Sequence, residues 1–186
     1  MGILRNLMMG VIICAAVAMV PAVPKVRAQD NNLRLNEQKI KAGLIYNFLK
    51  ATQWPKNPLM TEGGTLNICL LGGDSFAGYL HPLQGRTAQK YTIEIKILRS
   101  LADADFCHFL FVHDNQAGHL ENIIAELQDK PVLTASSIPN FSRRGGMLEF
   151  GMKSGRVHLY MNRDRVAQSD LIIEEKIARL TEPVHP

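Results

Sequence analysis

The sequence predicts a single-domain α/β protein, built on a mixed, largely parallel sheet with helices on its faces and a hairpin near the C-terminus. Three observations predict it. Residues 68–71 and 106–112 are almost continuously apolar, as strands buried on both faces of a parallel sheet are. Stretches with apolar residues at spacings of three and four alternate with these runs, as amphipathic helices do. Residues 147–152 and 156–161 both look extended, and Lys153-Ser154-Gly155 between them suits a tight turn.

Each element follows from its own stretch. Residues 29–35 are polar and read as a loose lead-in, after which Asn36 can cap a first helix. In that helix Ile40, Leu44 and Phe48, with Ile45 and Leu49, form the inward stripe, and Glu37, Lys39, Lys41, Asn47 and Lys50 fall on the outer side. The helix stops before Trp54-Pro55, and a link rich in Pro, Asn and Gly runs to Gly64. The run containing Cys69 is the first buried strand. Residues 91–97 alternate, with Tyr91, Ile93, Ile95 and Ile97 inward, which marks a half-buried strand. The run 106–112, interrupted only by His108, is a central strand. A helix over 115–128 turns Leu120, Ile123, Ile124 and Leu127 inward, and 131–135 is a further short strand. After the hairpin, 171–173 forms a last short strand and 174–180 a closing helix.

The N-terminus bears on compartment. Arg5, the apolar stretch 11–20 and the small residues at Val26 and Ala28 read as a secretory signal peptide over residues 1–28, cleaved between Ala28 and Gln29. Pro21 and Pro24 leave the apolar stretch short of the roughly 20 residues a membrane span needs. Cys14 follows Ile13 rather than a small residue, so it is not read as a lipid-attachment site. The remaining 158 residues suffice for one core. Of 21 basic residues, Arg5, Lys25 and Arg27 lie in the leader, leaving 18 against 17 acidic ones. That balance, with signs interspersed, argues against nucleic-acid binding. Of three cysteines only Cys69 and Cys107 follow the leader. In an oxidising space they read as a disulfide, with a pair of buried thiols as the alternative.

The stretch Gly72-Gly73-Asp74-Ser75-Phe76 follows a buried strand and invites three readings. A dinucleotide fingerprint is excluded, because Gly72, Gly73 and Gly78 miss the spacing that lets backbone approach a pyrophosphate. A serine esterase of the GDS type needs a histidine base, and the only candidates for its late D-x-x-H block are Asp105 to His108, too early in the chain, and the tail ending at His185. The third reading is a helix cap by Asp74 or Ser75, which the sequence favours. No histidine or cysteine spacing matches a metal site, so neither metal nor cofactor is expected. Arg143-Arg144-Gly145-Gly146 is the most basic loop after the leader, and it reads either as a partner-binding loop or as a solvated turn.

Taken together, "KIKAGLIYNFLKATQWP" (39–55), "NICLLGGDSFAGYL" (67–80), "LADADFCHFLFV" (101–112), "PVLTASSIPNFSRRGGMLEF" (131–150) and "GRVHLYMNRDRVAQSDLIIEEKIARL" (155–180) resemble the YfiR family of periplasmic regulators. The resemblance implies a non-enzymatic protein, able to form a homodimer, that binds the periplasmic part of an inner-membrane diguanylate cyclase and represses cyclic-di-GMP synthesis. It implies relief of repression by redox state and by an outer-membrane-associated lipoprotein. Cys69 and Cys107 match the positions of a family disulfide, whereas the absence of any later cysteine removes a second bridge found in some members. His113-Asp114-Asn115 also departs from the usual stretch after the "LFV" strand. A periplasmic adaptor for a sensor kinase or an outer-membrane receptor would share these features.

Overall fold

The computed structural model describes residues 26–55 and 64–185, with side chains from residue 32 onward. Residues 1–25 of the predicted leader and most of the predicted link lie outside them. In chain order the elements are α1 (Val26–Ala51), β1 (Thr52–Gln53), β2 (Thr65–Leu71), α2 (Ala77–Leu80), β3 (Thr87–Ala88), β4 (Tyr91–Leu98), β5 (Phe109–Val112), α3 (Leu120–Glu126), β6 (Leu133–Ser136), β7 (Leu148–Lys153), β8 (Arg156–Asn162), α4 (Arg163–Gln168), β9 (Ile172–Ile173), α5 (Glu175–Ala178) and β10 (Glu182–Val184). Tight 3-10 turns occupy Leu101–Phe106 and Asp114–His119.

The main sheet has eight strands in the order β10-β8-β7-β6-β5-β2-β4-β3, and β1 pairs separately with β9. Strands β4, β2, β5, β6 and β7 run parallel. β3 is antiparallel to β4 and β8 to β7, and β10 is parallel to β8. The chain therefore starts in the middle at β2, steps to β4 on one side, and returns to β5 on the other. The predicted mixed, largely parallel sheet is the observed one. The predicted hairpin is β7–β8, where Ser154 and Gly155 adopt φ of 51° and 72°. Two successive positive φ values are what a tight turn between twisted strands requires.

Alternate residues of the central strands serve two cores. Leu66, Ile68, Leu70, Phe109 and Phe111 face α1, meeting Ile45, Phe48 and Leu49. Cys69, Leu71, Leu110 and Val112 face the other way, toward Leu120, Ile123, Leu127 and Phe141. This is the period of two that makes a doubly covered strand apolar throughout.

Some elements differ from expectation. α1 begins ten residues before Asn36, since no proline or glycine between Val26 and Asn36 stops it, so Asn36 is not its cap. Its inward face also lies elsewhere. Lys41 and Ala42 are buried with Ile45, Phe48 and Leu49, while Ile40 is 50% exposed. In β4 the inward line holds at Tyr91 and Ile93, but Ile97 is 53% exposed and Leu98 joins the second core. The predicted helix over 115–128 is a 3-10 turn followed by α3, with Leu120, Ile123 and Leu127 buried as expected. β1, β3 and β10, of two or three residues each, have no pattern long enough to detect.

Candidate functional site

The order of strands reverses between β2 and β5, and loops that leave the carboxyl ends of such a pair diverge to opposite faces and open a crevice. Here the two diverging loops carry Ser75 and His113. The turn after β2 is made by Gly72 and Gly73, whose φ values of 101° and 144° suit glycine. Gly72 packs so closely on Asn115 and Gln116 that an added Cβ would collide with both. Asn115 Nδ2 donates to Gly72 O at 2.6 Å, tying the two loops together.

Across that tie, Ser75 Oγ lies 2.5 Å from His113 Nε2. The cap reading of Ser75 is thereby corrected: α2 starts after Phe76 with no side-chain cap, and the hydroxyl is engaged by a residue 38 positions away. In the sequence His113 stands out only within a stretch that departs from the family pattern, and no local signal could have paired it with Ser75.

A serine against a histidine is the beginning of a nucleophile and base, so the state of the imidazole decides what the pair can do. His113 Nδ1 is shut off from water and has no hydrogen-bond partner among the described residues. Either tautomer leaves Nδ1 unpaired, as a buried N–H or as a buried lone pair. With the proton on Nε2 the ring donates to Ser75 Oγ, and the hydroxyl hydrogen of Ser75 is given elsewhere. A general base needs the opposite arrangement, with Nε2 accepting and a third group fixing Nδ1–H. No third group fixes Nδ1 of His113 among the described residues.

The crevice above the pair has a volume of about 670 Å³ and is lined by α1, the two loops and the hairpin strands. That size lies within the range of small-molecule sites. One wall is aromatic: Phe76 lies 4.8 Å from Phe111, which lies 6.4 Å from Phe150, centroid to centroid. Into the same crevice α1 brings Lys41. Its ammonium, 3% exposed as a residue, pairs with Glu37 at 2.6 Å, donates to Ser137 Oγ at 2.7 Å, and stands 5.9 Å from the Phe150 ring centroid. A buried ammonium persists only with such partners. Lys41→Met should cost about 2 kcal/mol in denaturant unfolding, mostly because Glu37 is left unpaired, and less than a wholly buried pair would lose because Glu37 keeps some water. An unchanged midpoint and slope would show that the pair contributes nothing.

The other predicted positions lie elsewhere. Cys69, in β2, and Cys107, just before β5, form a disulfide with Cα atoms 5.8 Å apart on the face opposite α1. Arg143 and Arg144 have different roles. Arg144 is bound to Glu121 on α3, with Nη2 2.5 Å from Oε1, and this hydrogen bond holds the Glu121 carboxyl below its usual pKa. Arg143 is exposed and makes no ion pair among the described residues. The loop glycines are explained by structure: Gly145 has φ of 102°, and a Cβ on Gly146 would strike the buried ring of Phe141. Among the described residues, no group of three His, Cys, Asp or Glu side chains is placed to hold a metal ion.

A parallel sheet begun from its middle, helices on both faces and a crevice at the point of reversal define a doubly wound α/β protein. Over residues 38–182 the chain matches the YfiR/HmsC-like family (DUF4154), and it belongs to that family. A search among curated proteins finds no match.

Proposed function

We propose that the protein is a periplasmic regulator that binds the periplasmic part of an inner-membrane diguanylate cyclase and represses cyclic-di-GMP synthesis. The observation that carries this reading is family membership across residues 38–182. The export signal read at residues 1–28, cleaved between Ala28 and Gln29, supports the compartment. Among the described residues no helix is long and apolar enough to cross a membrane. Repression across a membrane requires tighter binding to the inactive cyclase than to the active one, because equal affinity shifts no equilibrium. Arg143, exposed and uncommitted, is the residue of the basic loop suited to a carboxylate on the partner. Self-association and release by an outer-membrane-associated lipoprotein belong to the same proposal.

The test is cellular. Deleting the gene should raise cyclic-di-GMP, and a full-length copy should restore the lower level, whereas a copy lacking residues 1–28 should not. An unchanged level on deletion, under conditions where the protein is made, would sink the cyclase reading and bring the adaptor reading forward. In the same reading the purified protein hydrolyses no short acyl ester above the buffer rate, and turnover abolished by Ser75→Ala would return it to the serine esterases.

A further inference from the structure

We propose that the outward face of α1 docks the protein on an anionic phospholipid bilayer, with the corner around Tyr46 set against the phosphate headgroups. The inference names a surface outside the crevice and stands independently of the cyclase reading, since vesicles that hold no cyclase test it.

α1 buries Ala42, Ile45, Phe48 and Leu49 on one side and leaves the other to water. Of the seven large hydrophobic residues exposed among the described residues, three lie on this helix: Leu33, Leu35 and Ile40. Leu33 and Ile40, two turns apart, fall on one line of the outward side. Lys39 and Lys50, about 16 Å apart along the axis, fall on the line beside it, with Gly43 between them. The only carboxylate between residues 32 and 55 is Glu37, and it is bound to Lys41.

The loop at β3 adds to the charge. The Arg86 guanidinium stands 4.8 Å from the Tyr46 ring centroid, and the Lys50 ammonium 5.4 Å from the same centroid. The Tyr46 hydroxyl donates to the Thr87 carbonyl at 3.1 Å, and the Gln89 amide donates to the carbonyls of Leu49 and Thr52. These bonds fix the loop at the C-terminal end of α1 and bring Lys90 there as well. Residues 81–93 contain no carboxylate. The helix dipole explains one cation in the last turn. A second on the same ring adds repulsion, and neither Lys50 nor Arg86 makes an ion pair among the described residues.

Exposed leucine and isoleucine beside uncompensated cations, with a tyrosine among them, make the face of a helix that lies in a bilayer interface. Its apolar side chains reach the acyl boundary while the cations meet lipid phosphates. A second copy of the chain fits this face worse, because a two-fold contact would bring its cations against their own copies.

Cosedimentation with vesicles of phosphatidylglycerol and phosphatidylcholine in equal parts tests the proposal. At low salt the purified protein should reach half-saturation at about 1 mM lipid, and pure phosphatidylcholine should bind it at least about tenfold more weakly. Salt at about 0.5 M should remove most of the binding by screening. Lys50→Glu with Arg86→Glu should weaken binding by at least about tenfold. Leu33→Ser with Ile40→Ser, which keeps every charge, should weaken it by about fivefold. All four positions are exposed, and melting temperatures near the parent's will show that the fold is kept. The proposal fails if the protein stays in the supernatant up to about 5 mM of the anionic lipid mixture, if neutral vesicles bind it equally, or if either double variant binds like the parent. If the parent ignores the vesicles but holds an acidic protein partner through Lys50 and Arg86, the face is a protein contact and the proposal is overturned.

Discussion

Replacing Cys69 and Cys107 together by alanine should lower stability by about 4 kcal/mol, the largest single loss expected in this protein. The bridge closes a segment with a sequence separation of 38, and in the chain-entropy account removing that constraint frees the unfolded chain by about this amount. Both residues are also buried in the second core, Cys69 completely, so the alanines lose some packing as well. For a domain of this size the melting temperature should fall by roughly 10 °C. Addition of reductant to the parent should reproduce most of the fall. If the oxidised parent and the double variant melt together, the bridge contributes no constraint. The functional consequence is specific: the bridge ties β2 to the chain entering β5, the two strands whose ends carry Ser75 and His113.

Acidification from pH 7 to pH 5 should destabilise the protein through His108 by about 2 kcal/mol. This histidine is 2% exposed, and burial pushes its pKa down to about 4. Its Nδ1 accepts the backbone N–H of Asn67 at 3.0 Å, which leaves the proton on Nε2, buried and without an acceptor among the described residues. Its ring stands edge-on to Trp54, whose Nε1–H donates to the His108 carbonyl at 3.0 Å. A second proton would have to go on Nδ1, where it would break the hydrogen bond from the Asn67 N–H and face that donor in a buried site.

In the unfolded chain the same imidazole titrates near 6.5, so as pH falls the unfolded state takes up the proton first. Stability is therefore complete above about pH 6.5, declines between 6.5 and 4, and reaches a total loss of about 3 kcal/mol once both states are protonated. His108→Gln keeps an acceptor for Asn67 and cannot titrate. Its melting temperature should fall less than the parent's between pH 7 and pH 5, and parallel lines for the two proteins would show that His108 is not responsible.

Much of the fold was legible because burial leaves a local imprint. A strand covered on both faces is apolar throughout, which identified β2 and β5, and a turn needing two positive φ values marked the hairpin at Ser154-Gly155. The same reasoning failed at Lys41, where residue type pointed outward. A lysine at a buried position looks like any other lysine, and besides the local Glu37 its ammonium is met by Ser137, 96 residues away, and by the Phe150 ring. Ser75 was legible as a residue at a strand-to-helix turn, and the local reading of such a serine is a cap. Its actual partner arrives from another strand.

By itself, then, the sequence determined the class of fold, the strands that form its centre, Cys69 and Cys107 as a candidate pair, and the resemblance that family membership now supports. These are properties of short windows, set by side-chain period and turn chemistry. Only the tertiary structure decided that β2 lies between β4 and β5, and with that order which loops face each other. Strand order depends on long-range pairing and the packing of two cores, and no local window records it. The meeting of Ser75 with His113, the burial of Lys41 and the crevice between them all follow from that order.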